Sequence, residues 1–201
     1  LSTICFEGPD DVLTDTAVQQ PALYTTSLAA WAVMNARGEA SPAFLAGHSL
    51  GEFSALAAAG ALTFEDGLAL VQRRGELMKQ AGQDQPGGMA AILGLGLDEL
   101  DAACRAAAAQ TDRVVQVAND NCSGQVVISG DTDALELAMP LAEAAGARKV
   151  VRLPISIAAQ SPLMQPAAAE FALAVDSTPI VAATIPVIAN VTATPLTDPA
   201  A

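Results

Sequence analysis

The segment GHSLG, Gly47 to Gly51, restricts the possible folds of this chain more than any other five residues. It closes a short apolar run, AFLAG (43–47), and opens a small-residue stretch (51–59) that stops at Gly60. A run of that length with those flanks reads as a buried parallel strand, and the stretch after it as a helix. A serine between two glycines at such a junction is a sharp strand-to-helix turn, a nucleophile elbow. The turn thrusts the Ser49 hydroxyl out of the sheet and aims the Leu50 amide, at the helix start, where an oxyanion would form. A structural serine in a glycine turn is the plain alternative, and the strand–turn–helix setting favours the nucleophile. His48 is adjacent, yet neighbours on so tight a turn diverge. It is expected to line the site or serve structure, and not to be the base.

The other elements alternate around this turn. Gln20-Pro21 opens a helical pattern to about Arg37, closed by Gly38, and Thr63 with Asp66 caps a second helix over 64–80. AGQDQPGG (81–88) breaks the pattern and reads as a boundary. Beyond it, strands are expected at 89–95, 113–118, 124–129 and 148–154, with helices at 98–109 and 132–145. That order, βαββαβ, is the ferredoxin-like one, and NDNCSG makes a hairpin-like connection between its middle strands. A helix over 162–175 and a buried strand at 184–190 follow. The expectation is an α/β fold: a larger parallel-sheet core from residues 1–84 and 155–201, with a small ferredoxin-like subdomain inserted at 85–154.

Composition narrows the function classes. Nine basic against 22 acidic residues give a net charge of −13, which disfavours nucleic-acid binding and requires any site for an anion to be locally basic. No apolar run approaches the ~18 residues of a membrane helix, and no leader is visible at Leu1. Three cysteines, Cys5, Cys104 and Cys122, are odd in number and not spaced as metal ligands, and there is a single histidine. Reduced thiols in a cytoplasmic protein without a metal site are expected. With 52% hydrophobic but 3% aromatic residues, the core must be packed from small side chains.

Arg74 is the second informative residue. On a helix, Phe64, Leu68, Val71, Gly75 and Met78 make one apolar stripe. Arg74 falls at its edge, while Arg73 points to the far side. An inward arginine needs an anion, because an unpaired buried charge is costly. A structural ion pair and a bidentate grip on a substrate carboxylate both satisfy that need, and spacing alone does not choose between them.

Four stretches together, AGHSLGEFSALAAAGALTFEDGLALVQRRGELM, GGMAAILGL, NDNCSGQVVISG and LPISIAAQSPLM, resemble the malonyl-CoA:acyl carrier protein transacylase family. That family includes the acyltransferase domains of fatty-acid and polyketide synthases. The resemblance implies a hydrolase-like α/β core with the ferredoxin-like insertion. It implies a malonyl group taken from malonyl-CoA by a serine and passed to the phosphopantetheine thiol of an acyl carrier protein. Ser49 matches the nucleophile, Leu50 an oxyanion amide, and Arg74 the arginine that binds the malonyl carboxylate. Asn121 and Gln125 match an N-x-x-G-Q stretch near the site, and His48 is placed with the substrate-binding residues. No resident cofactor is implied; the CoA thioester is substrate.

Two departures qualify the resemblance. The family has histidine where SIAAQSPLM has Gln160, and a glutamine amide cannot take up a proton near neutral pH. An engineered substitution, a naturally degenerate homologue or a sequence error would each produce it, and the intact Ser49, Arg74 and SPLM favour the first or the last. The chain also begins after the family's glycine-rich first strand and stops short of its final helix and strand, so an incomplete core is expected. The expected function is malonyl transfer impaired at Gln160. The alternatives are a non-catalytic acyl-binding or scaffold homologue and a serine thioesterase or esterase. A carrier protein is acidic, and ARKVVR offers Arg148, Lys149 and Arg152 as a local docking patch.

Overall fold

The computed structural model describes residues 1–39, 41–196 and 198. In chain order these form α1 (Ser2–Glu7), α2 (Asp10–Leu13), α3 (Thr16–Ala36), β1 (Leu45–Ala46), α4 (Gly51–Ala58), α5 (Phe64–Asp84), β2 (Gly87–Leu93), α6 (Leu97–Thr111), β3 (Val115–Cys122), β4 (Gln125–Asp131), α7 (Thr132–Ala144), β5 (Lys149–Arg152), α8 (Gln165–Asp176), β6 (Val187–Ile188) and β7 (Pro195–Leu196). The chain is an α/β protein with mixed sheets. It divides into two compact units, residues 1–77 with 170–201, and residues 78–169. The divisions fall inside α5 and α8 and not in the loops.

In the first unit β1 pairs parallel with β6, Leu45 opposite Val187 and Ala46 opposite Ile188, and β7 joins antiparallel to β6. Both strands are shorter than the apolar runs that contain them. Pro186 has no N–H to donate, so β6 starts after it, although its carbonyl accepts from Leu45 N at 3.0 Å. Ala55 of α4 and Ala59, the residue that caps its C-terminus, bury against Val187, with Leu45, Leu56, Ala183 and Ile185 at the margin. This is the small-residue packing that the composition requires.

Helix α3 starts at Thr16, earlier than the Gln20-Pro21 signal, because the Asp15 carboxylate accepts from Ala17 N at 3.0 Å and caps it. Pro21 sits inside the helix, one turn past its start. Gly75 on α5 lets α3 come close: a Cβ there would lie 2.7 Å from the Thr16 carbonyl oxygen and 2.9 Å from Ala17 Cα. Thr63 caps α5, accepting from Asp66 N at 3.0 Å and donating to the Asp66 carboxylate at 2.6 Å.

In the second unit the strand order is β3-β4-β2-β5, every neighbour antiparallel, with α6 following β2 and α7 following β4. Leu100, Cys104 and Ala107 of α6 and Ala134, Leu135, Ala138 and Ala142 of α7 share one core with Ile92, Val126 and Ile128 of the strands. The apolar stripes of both helices are covered by one sheet. Helix α5 continues to Asp84 through residues read as a break, with Gln80 Nε2 donating to Asp84 Oδ1 at 3.0 Å. Only Pro86 ends the helical run.

Candidate active site

Ser49 adopts φ +53°, a left-handed conformation that is rare for a residue with a side chain. The turn is possible because position 47 is glycine: a Cβ there would fall on the Gly51 carbonyl. Past the bend, Gly51 N donates to His48 O at 2.9 Å and Phe53 N to Leu50 O at 3.0 Å, which starts α4. The Leu50 amide makes no hydrogen bond among the described residues, which leaves it available to an incoming oxygen. His48 is exposed and contributes its carbonyl to the turn.

Arg74, on α5, reaches this turn. Its Nη2 donates to Ser49 Oγ at 2.9 Å, and its Nη1 donates to Gln20 Oε1 at 2.6 Å. Gln20 is 3% exposed and hands its own amide N–H to Thr16 Oγ1 at 2.9 Å. Thus the Gly75 approach of α3 to α5 sets the guanidinium. Burial lowers the Arg74 pKa from its ordinary value, and the Glu52 charge pulls it back up. Among the described residues no carboxylate is ion-paired with Arg74, so the structural ion pair left open by spacing is not what holds it. Arg73 faces away, as its helical position predicts, and pairs with Glu170 and Glu76.

Asn190, just after β6, binds the same turn. Its Oδ1 accepts from Ser49 N at 3.1 Å and its Nδ2 donates to Gly47 O at 2.9 Å, while its backbone N donates to Glu52 Oε1 at 3.0 Å. Neither Gln20 nor Asn190 was singled out from the sequence. The available signals were slight: a glutamine before a proline, and an asparagine ending an apolar run.

The remaining candidates lie in the second unit. Gln160 has φ +59°, and its carbonyl accepts from Gln116 Nε2 of β3 at 3.2 Å. Ser161, beside it, donates to Ala158 O at 2.6 Å and caps the short turn that leads into α8. Asn121 and Gln125 stand exposed at the β3–β4 hairpin, where β3 bulges between Asp120 and Cys122. The Gln125 side-chain carbonyl accepts from the Cys122 thiol at 3.6 Å. Among the described residues no cluster of His, Cys, Asp and Glu could hold a metal ion, and no helix is long and apolar enough to cross a membrane.

A strand–turn–helix serine with a guanidinium on its oxygen puts this chain among the α/β proteins built around a G-x-S-x-G elbow. The chain belongs to the acyl transferase domain family, which matches residues 1–200. It is 44% identical over 206 residues to the malonyl CoA-acyl carrier protein transacylase of Bacillus subtilis (strain 168), covering 100% of this chain and 62% of that protein. The polyketide biosynthesis protein ThaF of Burkholderia thailandensis is 45% identical over 195 residues, 97% of this chain and 16% of ThaF. Among solved structures, the malonyl-transacylase PlMCAT, in complex with the type II polyketide acyl-carrier protein AntF, is similar with a TM-score of 0.95. That similarity has 36% identity and covers 99% of this chain and 64% of PlMCAT. The chain therefore spans less than two thirds of the length of such relatives.

Proposed function

We propose that this chain carries the acyl-serine site of a malonyl-CoA:acyl carrier protein transacylase, working by two successive transfers. In the first, Ser49 Oγ attacks the thioester carbonyl, the carbon–sulfur bond breaks, and the CoA thiolate leaves with a proton. In the second, the phosphopantetheine thiol of a carrier attacks the malonyl ester, and Ser49 recovers its proton as it leaves. The Leu50 amide takes the oxyanion of both tetrahedral intermediates. The observation that carries this reading is the 2.9 Å contact of Arg74 Nη2 with Ser49 Oγ. It supports an acyl group bearing a free carboxylate, since a partly desolvated guanidinium paired only to neutral oxygens rewards an anion placed beside the nucleophile. The malonyl CoA-acyl carrier protein transacylases to which the chain is similar support the same substrate and carrier.

In the resemblance that supports these roles, position 160 is the base, and Gln160 cannot accept the Ser49 proton. Malonyl transfer by this chain is therefore slow. Asn121, Gln125 and His48 are assigned to the surroundings of the substrate, with Arg148 and Lys149 as the carrier-docking charges. Arg152 is a weaker member of that patch because its Nη1 donates to Glu136 Oε1 at 2.9 Å. A hydrolase-like core and a ferredoxin-like subdomain are the finer architectural reading; the parallel β1–β6 pair and the order β3-β4-β2-β5 support them. Three free thiols favour the cytoplasm, and neither metal nor resident cofactor is proposed.

Gln160 itself favours a second reading, an acyl-binding homologue without turnover. One substitution separates the two. Gln160→His is expected to raise the rate of Ser49 acylation from malonyl-CoA by ~10²–10⁴-fold, the usual contribution of a general base. A folded histidine variant that is no faster than the glutamine form supports the non-catalytic reading.

A further inference from the structure

Ser49 holds a left-handed backbone that its side chain disfavours, and such a turn persists only where its surroundings over-determine it. Gly47 permits the bend but does not hold it. We propose that Asn190 is the positioning residue of the elbow: its side-chain amide clamps the bend at both ends and thereby aims Ser49 Oγ. The inference rests on the reading of Ser49 as nucleophile.

The clamp has three points. Asn190 Oδ1 takes the Ser49 N–H at 3.1 Å and Nδ2 gives to the Gly47 carbonyl at 2.9 Å, so one planar amide bridges the residues on either side of His48. The Asn190 backbone N–H donates to Glu52 Oε1 at 3.0 Å, fixing the clamp to the first turn of α4. The parallel pairing of β1 with β6 ends at Ala46 and Ile188. Past that pair no backbone–backbone bond joins the two segments among the described residues, and the side-chain amide of Asn190 carries the connection one step further. A tight turn in turn holds Asn190, with Ala189 N donating to Thr194 O and Ala193 N to Ala189 O, each at 3.0 Å.

Two consequences follow for chemistry. The Ser49 amide is occupied, so the amide left to receive an oxyanion is that of Leu50. The clamp also acts on the serine and not on Arg74, whose orientation comes from Gln20 on α3. Asn190 therefore governs the rate of the covalent step and leaves binding of the carboxylate alone. Only an amide of this length serves: alanine removes both contacts, and aspartate keeps an acceptor for Ser49 N–H but turns a carboxylate oxygen against the Gly47 carbonyl.

Asn190 is exposed, so water can satisfy Ser49 N–H and Gly47 O when the side chain is removed, and the fold should survive. The test is Asn190→Ala and Asn190→Asp, each made in the full chain and again with Gln160→His. Crystal structures of the full-chain variants are expected to show Ser49 relaxed out of its left-handed conformation and its Oγ off Arg74. In the Gln160→His background, single-turnover acylation of Ser49 is expected to fall about 10²-fold, the cost of a reacting atom misplaced by about 1 Å. The malonyl-CoA concentration at half-saturation and the melting temperature should stay near parental. Ser49 still at its parental φ with Oγ on Arg74, or an unchanged acylation rate, overturns the proposal. So does a loss that falls on half-saturation and not on rate. If the Gln160→His parent forms no acyl-serine at all, the functional reading fails, and the conformation of Ser49 in the Asn190 variants alone decides the positioning role.

Discussion

Arg74 holds two neutral oxygens, Ser49 Oγ and Gln20 Oε1, and its burial lowers its pKa without bringing it a carboxylate partner among the described residues. A charge kept in that state would discriminate among acyl groups if the proposed function holds. In the Gln160→His protein, Arg74→Ala is expected to reduce kcat/KM for malonyl-CoA far more than for acetyl-CoA, the difference being about 2–5 kcal/mol, as for loss of one partner from a desolvated charge pair. Equal losses for both thioesters, with a lower melting temperature, would return Arg74 to a structural role. The inward turn of this arginine was legible in the sequence because helical spacing puts Arg74 beside Val71 and Gly75 and Arg73 outside them, although the buried face runs through Gly67 and Leu70 and leaves Phe64 of the expected stripe exposed. The Thr63 cap was legible for the same local reason. Gln20 and Asn190 were not, since each meets its partner across 54 or 141 residues of chain, and no local pattern encodes that distance.

The elements show where local signals stop. The order of strands and helices within 87–152 could be read from the sequence, because α6 and α7 each bury one face in a common core, and β2 and β4, buried along almost their whole length, stand out as apolar runs. Bounds were harder. Helix α5 runs on to Asp84 over a stretch with Gly82 in it, and α3 begins at an aspartate cap ahead of Gln20-Pro21. The short helices α1 and α2 and strand β7 carry too few periodic residues to be recognised. A Cβ on Gly75 meets the backbone of Thr16 and Ala17, which cannot yield as a flexible side chain would. Gly75→Ala is expected to cost ~1–3 kcal/mol in urea unfolding with the slope unchanged, as for an overpacked interface. By pushing α3 away it should also separate Gln20 from Arg74 and erode selectivity for malonyl over acetyl. Parental stability would mean that the two helices are not in the contact described.

At the scale of the whole molecule the net charge of −13 repels an acidic carrier, so association depends on where the few cations stand. Lys149 lies on β5, an edge of the four-stranded sheet, and a lysine there also discourages edge-to-edge pairing. The two roles separate by salt. Arg148→Glu with Lys149→Glu in the Gln160→His protein should lower kcat/KM for the carrier and flatten its decline with ionic strength, while acylation by malonyl-CoA changes less. Identical carrier values and salt slopes would move docking elsewhere. Time-resolved intact-protein mass spectrometry of the parent and Gln160→His proteins mixed with malonyl-CoA measures whether Ser49 receives a malonyl group and how far position 160 governs the rate. The predicted result is a single malonyl adduct, mapped to Ser49, absent from Ser49→Ala, and formed ~10²–10⁴-fold faster with histidine at 160. A folded Gln160→His protein that forms no adduct, or an adduct that persists in Ser49→Ala, would contradict it.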